Sequence, residues 1–177
     1  MEATKTINLT ELETAIEDAW TENKVPFFFD TQGNAEVFFK YKANLVELNR
    51  MQVALAAEET TVDDVKEKIR THLLYALKSG SCIVFFVDKL MGKFEDYYDE
   101  SFLPKEIFDP TEIVKPEIYK KILKEDEDMD NFGNKGGFYH QETFRVAVLS
   151  TRTPDSEDNS DIAEHLEPEK FEFIKIE

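Results

Sequence analysis

A single cysteine, six glycines and six prolines in 177 residues exclude several kinds of protein at once. Cys82 has no partner for an intramolecular disulfide, so the chain is no disulfide-stapled scaffold, and a reducing compartment is expected. No apolar run approaches the roughly 18 residues that cross a bilayer. The opening Met1-Glu2-Ala3-Thr4-Lys5 lacks the apolar region of a signal peptide. The expected location is cytoplasmic, which includes the interior of a cilium or flagellum. Positive charge is also scarce: 21 Lys and Arg stand against 38 Asp and Glu, a formal net charge of −17. Such a field repels phosphate backbones and anionic headgroups, so no nucleic acid and no membrane is expected as a partner, whereas a basic protein surface fits. No linker rich in Pro, Gly or Ser and no internal repeat divides the chain, and residues 1–177 are expected to form a single domain.

Catalytic signatures are missing too. His72, His140 and His165 are not spaced as metal ligands. Ser79-Gly80-Ser81 precedes a strand instead of opening a helix after one, so it is no nucleophile elbow. Within Ser81-Cys82-Ile83-Val84-Phe85-Phe86 the thiol reads as a core group and not as a nucleophile. Asp126, Asp128 and Asp130 alternate like the start of a calcium loop. However, Asn131 stands where that loop needs Gly, and Gly137 stands where it needs a bidentate Glu. A solvated acidic loop, able to meet a basic partner, is the better reading; a calcium-responsive module is the other. No metal site and no cofactor is expected.

What the chain does have is aromatic weight: 15 Phe within a 41% apolar composition, which argues against disorder. Residues 9–24 read as an amphipathic helix with Thr10 as N-cap and Glu13 completing a capping box. Val25-Pro26-Phe27-Phe28-Phe29 is apolar without alternation, as in a strand covered on both faces. A helix is predicted over residues 35–48, a second strand over 51–56, and a long helix opened by residues 60–64, running to 78 and stopped by Gly80. Residues 82–87 form the third strand, closed by Asp88. Residues 94–102 and 116–124 look helical between proline-marked loops, 143–149 is the fourth strand, and 171–176 the fifth. The segment 153–167, with Asp155, Glu157, Asp158 and Asp161, holds at most a short helix near 162–166. The aromatics of residues 94–102, and Phe38, Phe39 and Tyr41, can serve a core face or a partner. Strand and helix alternating predicts a doubly wound α/β sheet, five-stranded and mostly parallel, flanked by helices on both faces. Ligand sites in such sheets lie at the strands' carboxyl ends, here at residues 30–32, 88–89 and 150–152.

The series Pro26-x-x-x-Asp30-x-Gln32-Gly33-x-Ala35, then Ile83-Val84-Phe85-Phe86-Val87-Asp88, then Tyr139, Phe144-Arg145, Thr151, Arg152 and Pro154 resembles the large α/β subdomain of a degenerate AAA+ module of dynein heavy chains, the fifth of the ring. The resemblance covers about residues 15–154. It implies a P-loop NTPase or AAA+-like core without the helical lid, and the strand order fifth, first, fourth, third, second. It also implies a cofactor site at Asp30, Gln32, Gly33 and Asp88 that is only vestigial. A working P-loop reads G-x-x-x-x-G-K-[ST], its backbone donors and Lys holding phosphates. Here the turn carries a single Gly, no Lys, and the acids Asp30 and Glu36, while Lys89 follows Asp88 where a water-activating Glu usually stands. Hydrolysis is therefore not expected. The expected function is a non-catalytic, monomeric scaffold or adaptor for protein partners, in a ciliary, cytoskeletal or dynein-associated assembly. The alternative is a nucleotide- or metal-sensing protein with a reduced phosphate site.

Overall fold

The computed structural model describes residues 3–156 and 159–177. Glu157 and Asp158, part of the acidic segment noted above, lie outside the described residues. The elements in chain order are β1 (Lys5–Ile7), α1 (Leu12–Thr21), β2 (Val25–Phe29), α2 (Asn34–Lys42), β3 (Asn44–Val46), α3 (Leu48–Ala56), α4 (Val62–Ser79), β4 (Cys82–Asp88), α5 (Pro116–Tyr119), β5 (Arg145–Ser150), α6 (Ser160–His165) and β6 (Phe171–Ile176), with short 3-10 turns between them. The sheet has six strands in the order β1-β6-β2-β5-β4-β3, all paired in parallel.

The α/β class and the parallel, helix-flanked sheet agree with expectation, and the order of β6, β2, β5 and β4 is the expected one. The strand count and the identity of the outer strand do not. Residues 51–56 are helical, and the strand lies earlier, at Asn44–Val46. The reason is visible in the burial: Leu48 is fully buried and Met51 and Leu55 pack on the core, while Val53 is 58% exposed. That is helical spacing, which a six-residue window also lets pass as alternation. The predicted helix over 35–48 accordingly stops at Lys42, where Ala43 turns extended (φ −135°, ψ 177°). Asn44 is then held by α4: its Nδ2 donates to His72 O at 2.6 Å, and its Oδ1 lies 2.5 Å from His72 Nδ1. At the other edge, β1 pairs with β6 through Lys5–Ile174 and Ile7–Ile176.

Smaller corrections concern caps and short helices. The first cap is Asn8 with Glu11, not Thr10 with Glu13, and it opens a 3-10 turn before α1. Residues 94–102 shrink to the turn Phe94–Asp96, because the chain reverses through an Asp99–Leu103 bridge. Residues 116–124 form α5 and one 3-10 turn. By contrast α4 matches its prediction: Thr61 and Asp64 form the capping box, and Gly80 stops it in the left-handed region at φ 71°. A Cβ at Gly80 would run into Thr143 Oγ1.

The unbroken apolar runs of β2 and β4 divide by parity between the sheet's faces. Phe27, Phe29, Ile83, Phe85, Val146, Val148, Phe171 and Phe173 pack against α4 and residues 94–144, with Ile162 of α6 and Leu166 just after it on the same side. Phe28, Val84, Phe86, Leu149, Ile174 and Ile176 pack against Leu12, Ala15 and Ile16 of α1 and Ala35 and Phe39 of α2. The chain therefore leaves β2 over one face and leaves the neighbouring β5 over the other. Between the carboxyl ends of these strands lies a topological switch point, where open α/β sheets hold their ligands.

Candidate functional site

At this switch point the loops after β2, β4 and β5 and the start of α6 enclose an open crevice of about 740 Å³, lined by Thr31, Lys89, Thr151, Arg152, Thr153 and Asp161 among others. Three local arrangements stand at this end of the sheet.

The first is the turn after β2. Asp30 is 1% exposed. Its backbone N–H donates to Ser150 O at 2.8 Å, continuing the ladder with β5. Its carboxylate turns back on its own chain: Oδ1 accepts from Gln32 N at 3.0 Å and Oδ2 from Ala35 N at 2.6 Å. Gly33, at φ 74°, reverses the chain into α2. The amino end of a helix offers unpaired N–H groups and a partial positive charge, the usual seat of a phosphate. In this chain Asp30 takes part of that seat. Gln32 is exposed, and its side-chain oxygen accepts from Asn34 Nδ2 at 3.2 Å. Glu36 pairs with Lys40 at 2.6 Å.

The second is the end of β4. Asp88 has φ 54°, a left-handed conformation that bulky residues avoid. Its carboxylate accepts from the Thr151 hydroxyl, and its backbone oxygen accepts from Ser150 Oγ at 2.7 Å and Thr151 N at 3.2 Å. Asp88 thus ties the ends of β4 and β5 together. Since β5 lies between β2 and β4, Asp30 and Asp88 start from backbones about 10 Å apart, twice the strand spacing. The structure places Asp30, Gln32 and Gly33 on one turn and Asp88 two strands away, each engaged with its own neighbours.

The third is Arg152. Its Nε and Nη2 donate to Lys89 O at 3.0 and 2.6 Å, and its Nη1 and Nη2 to Asp161 at 2.6 and 2.8 Å. A forked guanidinium held by a carboxylate and a carbonyl is a tie between loops, with its charge neutralised in place. Arg152 and the polar end of β5 are legible in the sequence. Asp161 is not, since nothing distinguishes it from its acidic neighbours until α6 folds back. Lys89 keeps its ammonium exposed, with no hydrogen bond or ion pair to the described residues.

The other singled-out groups lie elsewhere. Burial pushes the Cys82 thiol well up, away from nucleophilic thiolate chemistry. Burial also lowers the basicity of His72 and His140; His140 meets Tyr119 edge-on at 5.3 Å, and His165 meets Glu95 at 2.9 Å. In the acidic loop, Asp128 accepts from Lys120 Nζ and Phe138 N, and Asp130 from the N–H groups of Phe132 and Asn134. Among the described residues no group of three His, Cys, Asp or Glu side chains is placed to hold a metal ion. The aromatics split between both of their readings. Phe94, Tyr97 and Phe39 are core residues, Tyr98 and Phe38 are half-buried, and Tyr41 is 86% exposed. No described helix is long and apolar enough to cross a membrane. Comparison of the chain with family models, curated proteins and solved structures gives no match.

Proposed function

We propose that this chain is a non-catalytic protein-contact module, an α/β platform that joins a larger assembly as a monomer. The observation that carries the reading is the Asp30 carboxylate on Gln32 N and Ala35 N. An anion built into the chain satisfies the donors that a polyphosphate would need, and it repels a second anion there. The formal charge of −17 adds to that repulsion and favours basic protein surfaces. A ciliary or dynein-associated setting is supported only by the resemblance of residues 15–154 to degenerate dynein modules. The second reading, a nucleotide or metal sensor, draws on one feature, the open crevice with the exposed Lys89 at the switch point.

One titration separates the two. ATP and ADP, each with and without Mg²⁺, are added to the purified chain in a calorimeter, and thermal unfolding is followed in parallel. The module reading expects no saturable heat and no rise in Tm. A ligand bound at a hundred times its Kd would add about 2.7 kcal/mol to the folded state and shift Tm by several degrees. Such a shift would overturn the module reading.

A further inference from the structure

A second concave surface lies away from the switch point, where residues 95–108 meet the 164–171 segment. Adjoining hollows of about 210 and about 260 Å³ meet at Tyr98 and Lys105. Their floor is apolar and already packed. Phe108, Leu166 and Phe171 are each at least nine-tenths buried, and the Phe108 ring lies 4.9 Å from Phe94 and 5.1 Å from Phe171. A floor held from beneath in this way needs no ordering when something docks on it.

Tyr98 stands between the hollows. Burial pushes its hydroxyl up to about 12, and the nearby charges of Glu95 and Glu167 push in the same direction. The hydroxyl has no hydrogen-bond partner among the described residues. Glu95 and Glu167 are on the rim, occupied by His165 at 2.9 Å and Lys170 at 3.0 Å. Glu106 and Glu164 are also on the rim, and their side chains have no ion-pair partner among the described residues. Lys105 is the counterweight. Over both hollows the carboxylates Glu95, Asp99, Glu100, Glu106, Glu164 and Glu167 outnumber Lys105, Lys121 and Lys170.

We propose that this groove docks a basic, amphipathic segment of a partner protein, with an Arg or Lys side chain against Tyr98 and its apolar neighbours on the Phe108–Phe171 floor. The proposal rests on the reading of the chain as a protein-contact module and says where the contact is made and with what chemistry. The Tyr98 oxygen accepts an N–H, the aromatic face attracts a cation, and Glu106 and Glu164 supply the balancing charge. Arg suits the site better than Lys, because its planar fork can meet a hydroxyl and a carboxylate together. An acidic segment meets repulsion from the same rim.

The test uses the full chain, ¹⁵N-labelled, and a decapeptide alternating arginine and leucine, with a glutamate–leucine decapeptide as the contrast. The arginine probe is expected to bind saturably, with amide shifts concentrated in residues 95–108 and 164–171. The Glu106→Lys/Glu164→Lys double variant, changing one half-buried and one exposed rim carboxylate, is expected to weaken it about tenfold. Tyr98→Phe keeps the ring and removes only the hydroxyl, and should weaken it less. Absence of saturable binding, unchanged affinity in the double variant, or shifts spread over the acidic α1 surface at Glu13 and Glu17 would each overturn the groove. The nucleotide titration reads the underlying function separately. A silent titration with a failed groove leaves the module in place with its contact elsewhere; nucleotide binding removes the module itself.

Discussion

Asp30 is almost wholly buried, and a carboxylate in that position is tolerable because Gln32 N and Ala35 N donate to it. Asp30→Ala leaves those N–H groups unmet at the start of α2. The expected loss is about 1–2 kcal/mol, the range for removing a helix N-terminal acceptor, measured as a lower urea midpoint. Asp30→Asn keeps one acceptor oxygen and should lose less. A second residue, Glu67, governs acid behaviour. Hydrogen bonds from Arg70 and then Lys124 hold its carboxyl at about 2, below the ordinary 4.5. A depressed folded value contributes stability that is complete above about pH 4.5 and disappears as pH falls through about 2. The stability difference between the native chain and Glu67→Gln should therefore be flat near neutrality and shrink across that window, as followed by denaturant unfolding at stepped pH. The sequence shows Asp30 as an acid closing an apolar run. It does not show that the carboxylate bends back onto its own turn, because that depends on Gly33 at φ 74°.

Elements that carry their own signal were legible, and those that borrow it were not. β2, β4 and α4 are long enough to display burial on both faces, or a cap and a stop, within their own residues. β3 has three residues and is fixed by His72 on α4, 28 positions away. β1 offers only Ile7 as a buried residue and exists through its pairing with β6. The segment between β4 and β5 borrows in the same manner. It has little regular structure and is fastened to α4 by Arg70, which is 4% exposed and donates to Glu67, to Glu127 and to Ile122 O at 2.9 Å. Arg70→Ala would leave those acceptors without their common donor. The expected cost is about 3 kcal/mol, with faster hydrogen exchange over residues 120–138 than over β2 and β5. Equal acceleration everywhere would show that the segment and the sheet open as one unit.

At the scale of the whole molecule, every pairing in the sheet is parallel, so each needs a crossover and none is closed by a hairpin. Such contacts are far apart along the chain and slow to form. The extreme case is β6, which enters between β1 and β2 and pairs with both. Removing residues 171–177 should leave β1 without a neighbour and uncover the β2 edge along Val25–Phe29. The shortened chain is expected to lose cooperative thermal unfolding and to aggregate, which calorimetry and light scattering would detect. Retained two-state melting would show that β2, β5 and β4 hold together without it.

That arrangement has a consequence for the chain as a ribosome delivers it. Residues 5–29 emerge before residues 171–176, and the slot between β1 and β2 stays empty until the later segment is clear of the exit tunnel. Over that interval the nascent chain carries an unpaired run ending in three consecutive phenylalanines, Phe27, Phe28 and Phe29. It is during this interval, before the last strand arrives, that a chaperone has the most to protect.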